Sequence, residues 1–435
     1  MKLAVLFGFF LNQPAFASAF SDSIVVDRAA SVETFIGDNQ VAPKDAPQSG
    51  TLVGINIKPN ISVSFGQNWQ AYFEGQLYSA TNGTYIDSED KETQSNDFAG
   101  LRELWVGYKG WTSYPGETFR VGLERKRIND GIILDAPLLG ASWNFDTSLL
   151  QTVVGYGEQH SNMRTGDYTL PAGVEDLKLS YLQSRFQYYN RHAVSGYAIH
   201  GDGHGNPLDT NLTWAGIGLD NGYYSDKSAP GLSYSLSAHA VSGEQADLPG
   251  APINDVKGYA RDLGLRWQFN GDWTKTIGLQ YAEASGGAEG YRTTDLETNR
   301  SKFTGSGSVL YRFNEALRAD FRNLDAITVY GSLAQFKQWN VNIVYNRFSI
   351  HDSGEPYYIS GRAKPVSADI STLGQGLDIV FTGFLHRKGP SLFALKSFDS
   401  SVRLRLSAFT YNDAMKDQVP RKNLYSANLS WIIQL

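Results

Sequence analysis

The chain has 435 residues, no cysteine, 41% hydrophobic and 13% aromatic residues, and a formal charge of −6. Its mean hydropathy of −0.32 and the lack of any apolar run of about 18 residues exclude a bundle of membrane helices. The missing cysteines exclude a disulfide framework and a cysteine-based metal site or nucleophile, and no basic face points to nucleic acid.

The chain opens like an export address. Met1-Lys2 is a short basic start, Leu3 to Leu11 is apolar, and Ala15-Phe16-Ala17 and Ala17-Ser18-Ala19 are small-x-small sites. This predicts a signal peptide over 1–19, cleaved after Ala17 or Ala19. Loss of Lys2 with it takes the charge to about −7. The stretch 20–50 is polar, carries Pro43 and Pro47, and reads as an extended periplasmic lead-in.

From Thr51 to Leu435 the texture is uniform, with short alternating segments between Gly, Asn, Asp, Ser and Pro clusters. Period two separates the faces of a strand. In Leu263–Phe269, Leu263, Leu265, Trp267 and Phe269 lie opposite Gly264, Arg266 and Gln268. In Trp339–Asn346, Trp339, Val341, Ile343 and Tyr345 lie opposite three asparagines. In Val402–Leu406 the aliphatics face away from Arg403 and Arg405, and Tyr425 to Leu435 alternates to the C-terminus.

A soluble sandwich alternates too. Aromatics near the ends of the apolar faces, and an amphipathic strand running to the terminus, favour an all-β transmembrane antiparallel barrel over residues 51–435. About seventeen strands can be counted, and the even numbers of bacterial barrels favour ~18. Closure follows from backbone chemistry, because an open edge in lipid leaves a row of unpaired amides.

Four collinear blocks resemble the alginate export porin family of Gram-negative outer membranes. They are Gly66 to Gln76; Leu101 to Val106, continuing through Tyr114 to Glu117, Glu124 to Arg127 and Trp143 to Leu150; Gly264 to Trp267; and Asn299 to Gly305 followed by Tyr311 to Arg318. The resemblance implies an 18-stranded outer-membrane barrel that exports an anionic uronate polymer through an arginine-lined pore. It also implies a periplasmic scaffold of a polysaccharide secretion complex as partner, outer-membrane lipid around the wall, and a monomer; no cofactor is implied.

A polyuronate carries one carboxylate per sugar. A pore for it needs fixed positive charge to offset dehydration, with binding weak enough to release. Arginine suits this, since its planar fork pairs carboxylates and stays charged. Arg403 and Arg405 are placed in the lumen by alternation, and the family has an Arg-x-Arg pair there. Arg125 and Arg127 match family arginines, but alternation from Phe119, Val121 and Leu123 turns them outward, so a bulge or an inward fold beyond Leu123 is required. Arg300, Arg312 and Arg318 match in the fourth block, with Glu315 paired to one of them. Asp135 matches an acidic residue of an inward-folding extracellular loop. Gly307 and Val309 stand where members of the family can carry arginine. Charges in a lumen also pair to brace the wall, so each arginine has a structural reading beside the conductive one.

Two other functions stay open: an uptake porin for small solutes, and an outer-membrane enzyme such as a protease or lipase. The latter needs a Ser/His or Asp/His constellation at the rim, and the histidine-bearing loops offer no persuasive one.

Overall fold

The structure is a computed structural model. It describes residues 24–39, 51–81, 97–159, 174, 176–224, 230–246 and 250–435, apart from 272, 288, 336–337, 360–361, 393–394, 416–417 and 420. The expected signal peptide lies outside the described residues.

Strands follow one another in antiparallel order. They are β1 (Ile24–Asn39), β2 (Thr51–Phe65), β3 (Trp69–Ala80), β4 (Asp97–Tyr108), β5 (Glu117–Ile128), β6 (Leu134–Asp146) and β7 (Leu150–Glu158). Next come β8 (Lys178–Tyr189), β9 (His192–Gly203), β10 (Thr210–Asp220), β11 (Gly231–Ala246), β12 (Ile253–Phe269) and β13 (Thr274–Ala284). Between β13 and β16 (Leu324–Gln335) a long connection carries the two-residue strands β14 (Arg300–Ser301) and β15 (Leu310–Tyr311). After β17 (Trp339–Ser349) a small ribbon, β18 (Tyr357–Ile359) and β19 (Arg362–Lys364), precedes β20 (Thr372–Leu392), β21 (Leu395–Tyr411) and β22 (Asn423–Gln434).

All but β14, β15, β18 and β19 join one 18-stranded sheet among the described residues. It closes where β1 pairs with β22, from Ser31↔Gln434 to Asn39↔Ser426. No described backbone edge is therefore left open to lipid along the wall's first and last strands.

The outward faces are apolar, and the inward faces mix polar groups with buried apolar ones such as Trp214, Val344 and Val380. On β17, Ile343 is 50% exposed outward while Asn342 is fully buried inside. Trp69 and Tyr108 meet at 4.7 Å, and Trp273 and Trp339 at 5.4 Å. These rings sit at the rim with the short turns, where amphipathic aromatics anchor to headgroups. That rim also holds the start of β1 and the end of β22, so by the usual asymmetry of such barrels it faces the periplasm.

The N-terminal boundary differs from the sequence reading. Ile24–Asn39, expected within an extended lead-in over 20–50, is the first barrel strand, and the wall begins there and not at Thr51. Its alternation is broken by the run Ile24-Val25-Val26 and by Ala29-Ala30. Pairing on both edges, to β2 and to β22, specifies it more strongly than its side-chain pattern does.

Candidate functional site

The site is built by two segments that leave the wall. β5 stays paired to β4 only from Phe119 to Leu123. Gly122 takes φ 131°, and a side chain there would lie 2.2 Å from the carbonyl oxygen of Leu104. Only glycine allows β4 so close at the point of departure. Beyond it β5 pairs with β6 alone, through Ile128↔Leu134, and the hairpin turns inward. Arg125 and Arg127 are thereby carried into the lumen, which is the inward fold that the sequence required.

The second segment is the connection 285–323. Its carbonyls at Phe303 and Thr304 accept hydrogen bonds from Arg266 Nη1 (2.8 Å) and Thr276 Oγ1 (2.8 Å). Ser306 Oγ donates to Asn342 (2.7 Å) and Ser308 Oγ to Asn340 (2.7 Å). Arg266, Thr276, Asn340 and Asn342 all lie within four residues of a short-turn end of their strands. The loop thus descends from the long-loop rim almost to the periplasmic one. It then climbs past β20 and β21, where Asn314 Nδ2 donates to Asp378 (2.8 Å) and the Ala316 amide to Ser407 (2.9 Å).

The two segments grip each other. The Asp135 amide donates to the Leu296 carbonyl (2.9 Å), and Arg127 Nη2 donates to the carbonyls of Asp130 (2.8 Å) and Arg300 (2.9 Å). Asp135, 2% exposed, accepts from Arg125 Nε (2.6 Å) and from Thr298 Oγ1 (3.0 Å). Asp135 therefore ties hairpin to loop beneath the lumenal surface.

The arginines divide in two. Arg125 and Arg127 keep side-chain exposures of 30% and 41%, and Arg300 and Arg403 are half-buried. Arg312, expected to line the pore, is sealed at 1% exposure and pairs with Asp262 of β12. It is a correction: a guanidinium packed between loop and wall braces them and meets no solute. Arg318 and Arg405 are also largely covered, Arg405 by Glu315 and by the Val309 carbonyl (3.0 Å).

Around Glu315 the charge is unbalanced. Burial alone would raise its carboxyl, yet Arg405, Arg300 and Arg318 together hold it below the ordinary range. Burial and the neighbouring Arg300 push the Arg318 guanidinium down to about 10. Arg403 lies within reach of the same field. Four cations gather around Glu315, outnumbering the carboxylates beside them, Glu315, Asp378 and Glu33. Buried side-chain nitrogens of Arg300, Arg318 and Arg403, like those of Arg266 and Arg312, have no hydrogen-bond partner, so the cluster is under-satisfied on its protein side.

The lumen is not filled throughout. A cavity of about 590 Å³ remains against β8 to β11, lined by Gln183, Arg185, Arg191, Asp220, Tyr224 and Asp130 among others. Of these, Arg185, Arg191 and Asp220 were not singled out from the sequence. Arg185 could have been: it alternates with the outward Leu182, Phe186 and Tyr188.

Comparison with known proteins agrees with this architecture. A family model described as alginate export matches residues 46–427. The alginate production protein AlgE of Pseudomonas aeruginosa is 32% identical over 379 residues, covering 77% of this chain and 76% of its own. AlgE of Pseudomonas syringae pv. tomato is 28% identical, with 84% and 85% covered. Among solved structures, Acinetobacter baumannii OccAB4 aligns with TM-score 0.59 at 10% identity, covering 95% of this chain and 99% of that one. Pseudomonas aeruginosa OccK8 aligns with TM-score 0.56 at 13% identity, covering 94% and 97%; these two speak for the barrel fold alone. From its sequence match and its wall together, the chain belongs to the alginate export family.

Proposed function

We propose that this protein is a Gram-negative outer-membrane channel that exports alginate, or a closely related polyuronate, passively. The observation that carries this reading is the crowd of Arg300, Arg318, Arg403 and Arg405 around Glu315, outnumbering the nearby carboxylates, inside a closed wall. Fixed positive charge in a pore replaces lost hydration of an anion, and partial neutralisation keeps the sites shallow. Arg125 and Arg127, on the accessible face of the inward hairpin, extend the same field toward the long-loop rim. No bond is made or broken in this work, and the protein acts without catalysis or cofactor.

In planar bilayers the channel is expected to be anion-selective and blocked by oligouronates, with the block weakened by replacing Arg403 and Arg405. Cation selectivity, or indifference to oligouronates, would remove the proposal. The cavity, of a size typical for small-molecule sites, favours one rival, an uptake porin for small solutes. Swelling of liposomes with neutral sugars of increasing size separates the two. As partner we place a periplasmic scaffold of the secretion complex at the short-turn rim, with the channel itself a monomer in outer-membrane lipid.

A further inference from the structure

The open part of the lumen carries its own charge pattern. At its short-turn end lie Arg185, on the inward face of β8, and Arg191, in the turn between β8 and β9. Arg185 Nη2 donates to Asp220 Oδ1 of β10 at 3.0 Å. Arg191 is exposed and makes no ion pair among the described residues. At the other end of the cavity stands the hairpin tip, Asn129 and Asp130. Behind that tip Arg127 bonds the Asp130 carbonyl and the Arg300 carbonyl. From the periplasmic mouth inward, the arginines therefore run Arg191, Arg185, Arg127, Arg300.

We infer that Arg185 and Arg191 form a periplasmic capture site that takes a uronate carboxylate before the polymer reaches the arginine crowd. This rests on the export reading above. An anion entering a pore with low-dielectric walls loses water before it gains partners, and charge at the mouth lowers that barrier by concentrating the anion there. A guanidinium has five N–H donors, and Asp220 engages Arg185 through a single described bond. The remaining donors are available to a bidentate carboxylate. Asp220 also accepts from the Gly222 amide (2.7 Å), so it is fixed by its own turn and aims Arg185 at the cavity. The amides of Gln183 and Gln187 and the hydroxyls of Ser195 and Ser237 line the same space and match sugar hydroxyls. As a brace the Arg185–Asp220 pair is weak, since both members are part-exposed to the cavity and screened by its water.

The test uses the full-length channel in a planar bilayer, with oligomannuronate added to one side at a time. Arg185→Gln with Arg191→Gln is expected to raise the half-blocking concentration about tenfold from the short-turn side, through a slower on-rate. Block from the long-loop side, where the polymer meets the arginine crowd first, stays within about twofold. The paired lysine variant retains part of the block, since charge persists without the fork. Asp220→Asn moves the opposite way and strengthens short-turn-side block, which keeps the inference testable should the double variant fail to assemble. Wild-type block with no change in the double variant, or an equal loss from both sides, overturns the capture site and leaves the export reading standing. A wild-type channel blocked from neither side overturns both.

Discussion

Behind β12 to β21 the wall is covered by the inner loop, whereas the short-turn ends of β8 to β11 border an open cavity. Toward the long-loop rim these strands pack on the loop too, as where Trp214 Nε1 donates to the Arg292 carbonyl (2.8 Å). Both halves show polar inward residues, so alternation alone reads them alike. They differ in which polar groups they use. The covered half presents short neutral groups, Thr276, Asn340, Asn342 and Ser407, each bonded to the loop's backbone or hydroxyls. Of its charges, Arg312 is sealed with Asp262 and Arg405 with Glu315, while Arg266 and Asp378 bond neutral groups of the loop. The open half presents long side chains, Gln183, Arg185 and Gln187, with room to move. In this barrel short neutral groups do most of the docking of the loop, and longer side chains line the open cavity.

The strongest way to break this contrast is to remove the loop. Replacing residues 287–321 by a short Gly-Ser turn is expected to leave the 18-stranded ring closed, since no wall strand pairs through the loop, but with lower heat resistance, since Tyr330, Val344 and Val380 lose their apolar cover. Single-channel conductance should rise several-fold and anion selectivity should fall. Unchanged conductance would mean that the loop does not govern the path.

Next in size is Arg405→Gln. Breaking a buried pair by removing one partner costs about 3–5 kcal/mol when the other is left unpaired; here the cost falls below that, because Arg300 and Arg318 still hold Glu315. The loop should detach locally from β20 and β21, read as faster proteolysis between Ser308 and Arg318 and noisier, larger currents. Loss of selectivity without new proteolysis would assign Arg405 to solute alone.

A smaller effect is expected at the hairpin tip. Burial, partly offset by Arg127, raises the Asp130 carboxyl to about 6. It is neutral below that pH and charged above it. Lowering pH from 7 to 5 should therefore remove one negative charge from the cavity and increase anion selectivity. Asp130→Asn should flatten that dependence and hold the low-pH value throughout. A variant with the wild-type pH profile would locate the titration elsewhere.

The smallest change concerns backbone strain. Arg318 sits at φ 53°, a left-handed conformation that costs an ordinary residue about 1–2 kcal/mol. Arg318→Gly should leave thermal resistance equal or slightly higher while lowering anion selectivity. A clear fall in resistance would show that its bond to the Glu315 carbonyl (3.2 Å) outweighs the strain.

Much of the wall was legible in the sequence. β12, β17, β21 and β22 face as their alternation says, because lipid on one side and polar lumen on the other impose period two. β1 was not, since Ile24-Val25-Val26 breaks the period and its place is set by pairing partners nearly the whole chain away. At the site, Arg403 and Arg405 could be placed from facing, and Arg125 and Arg127 only by requiring a fold beyond Leu123. Arg312 could not be distinguished from its neighbours, because a brace and a pore lining use the same residue. What separates them is contact with Asp262, 50 positions earlier. The loop itself left one trace, its Asn and Asp residues at positive φ, Asp295, Asn299, Asn314 and Asn323, which tolerate turns that a strand forbids.

The seam between β1 and β22 has a consequence for biogenesis. The Ser31 hydroxyl and the Gln434 amide approach to 3.5 Å across 403 residues of chain. Contacts so remote in sequence carry the largest loop-closure entropy and form late. Strands in the middle can zip to neighbours close in sequence, but the ring cannot shut until β1 and β22 meet. Until then both terminal strands offer sticky edges. Removing β1 or β22 should therefore leave an open, aggregation-prone sheet in place of a smaller pore.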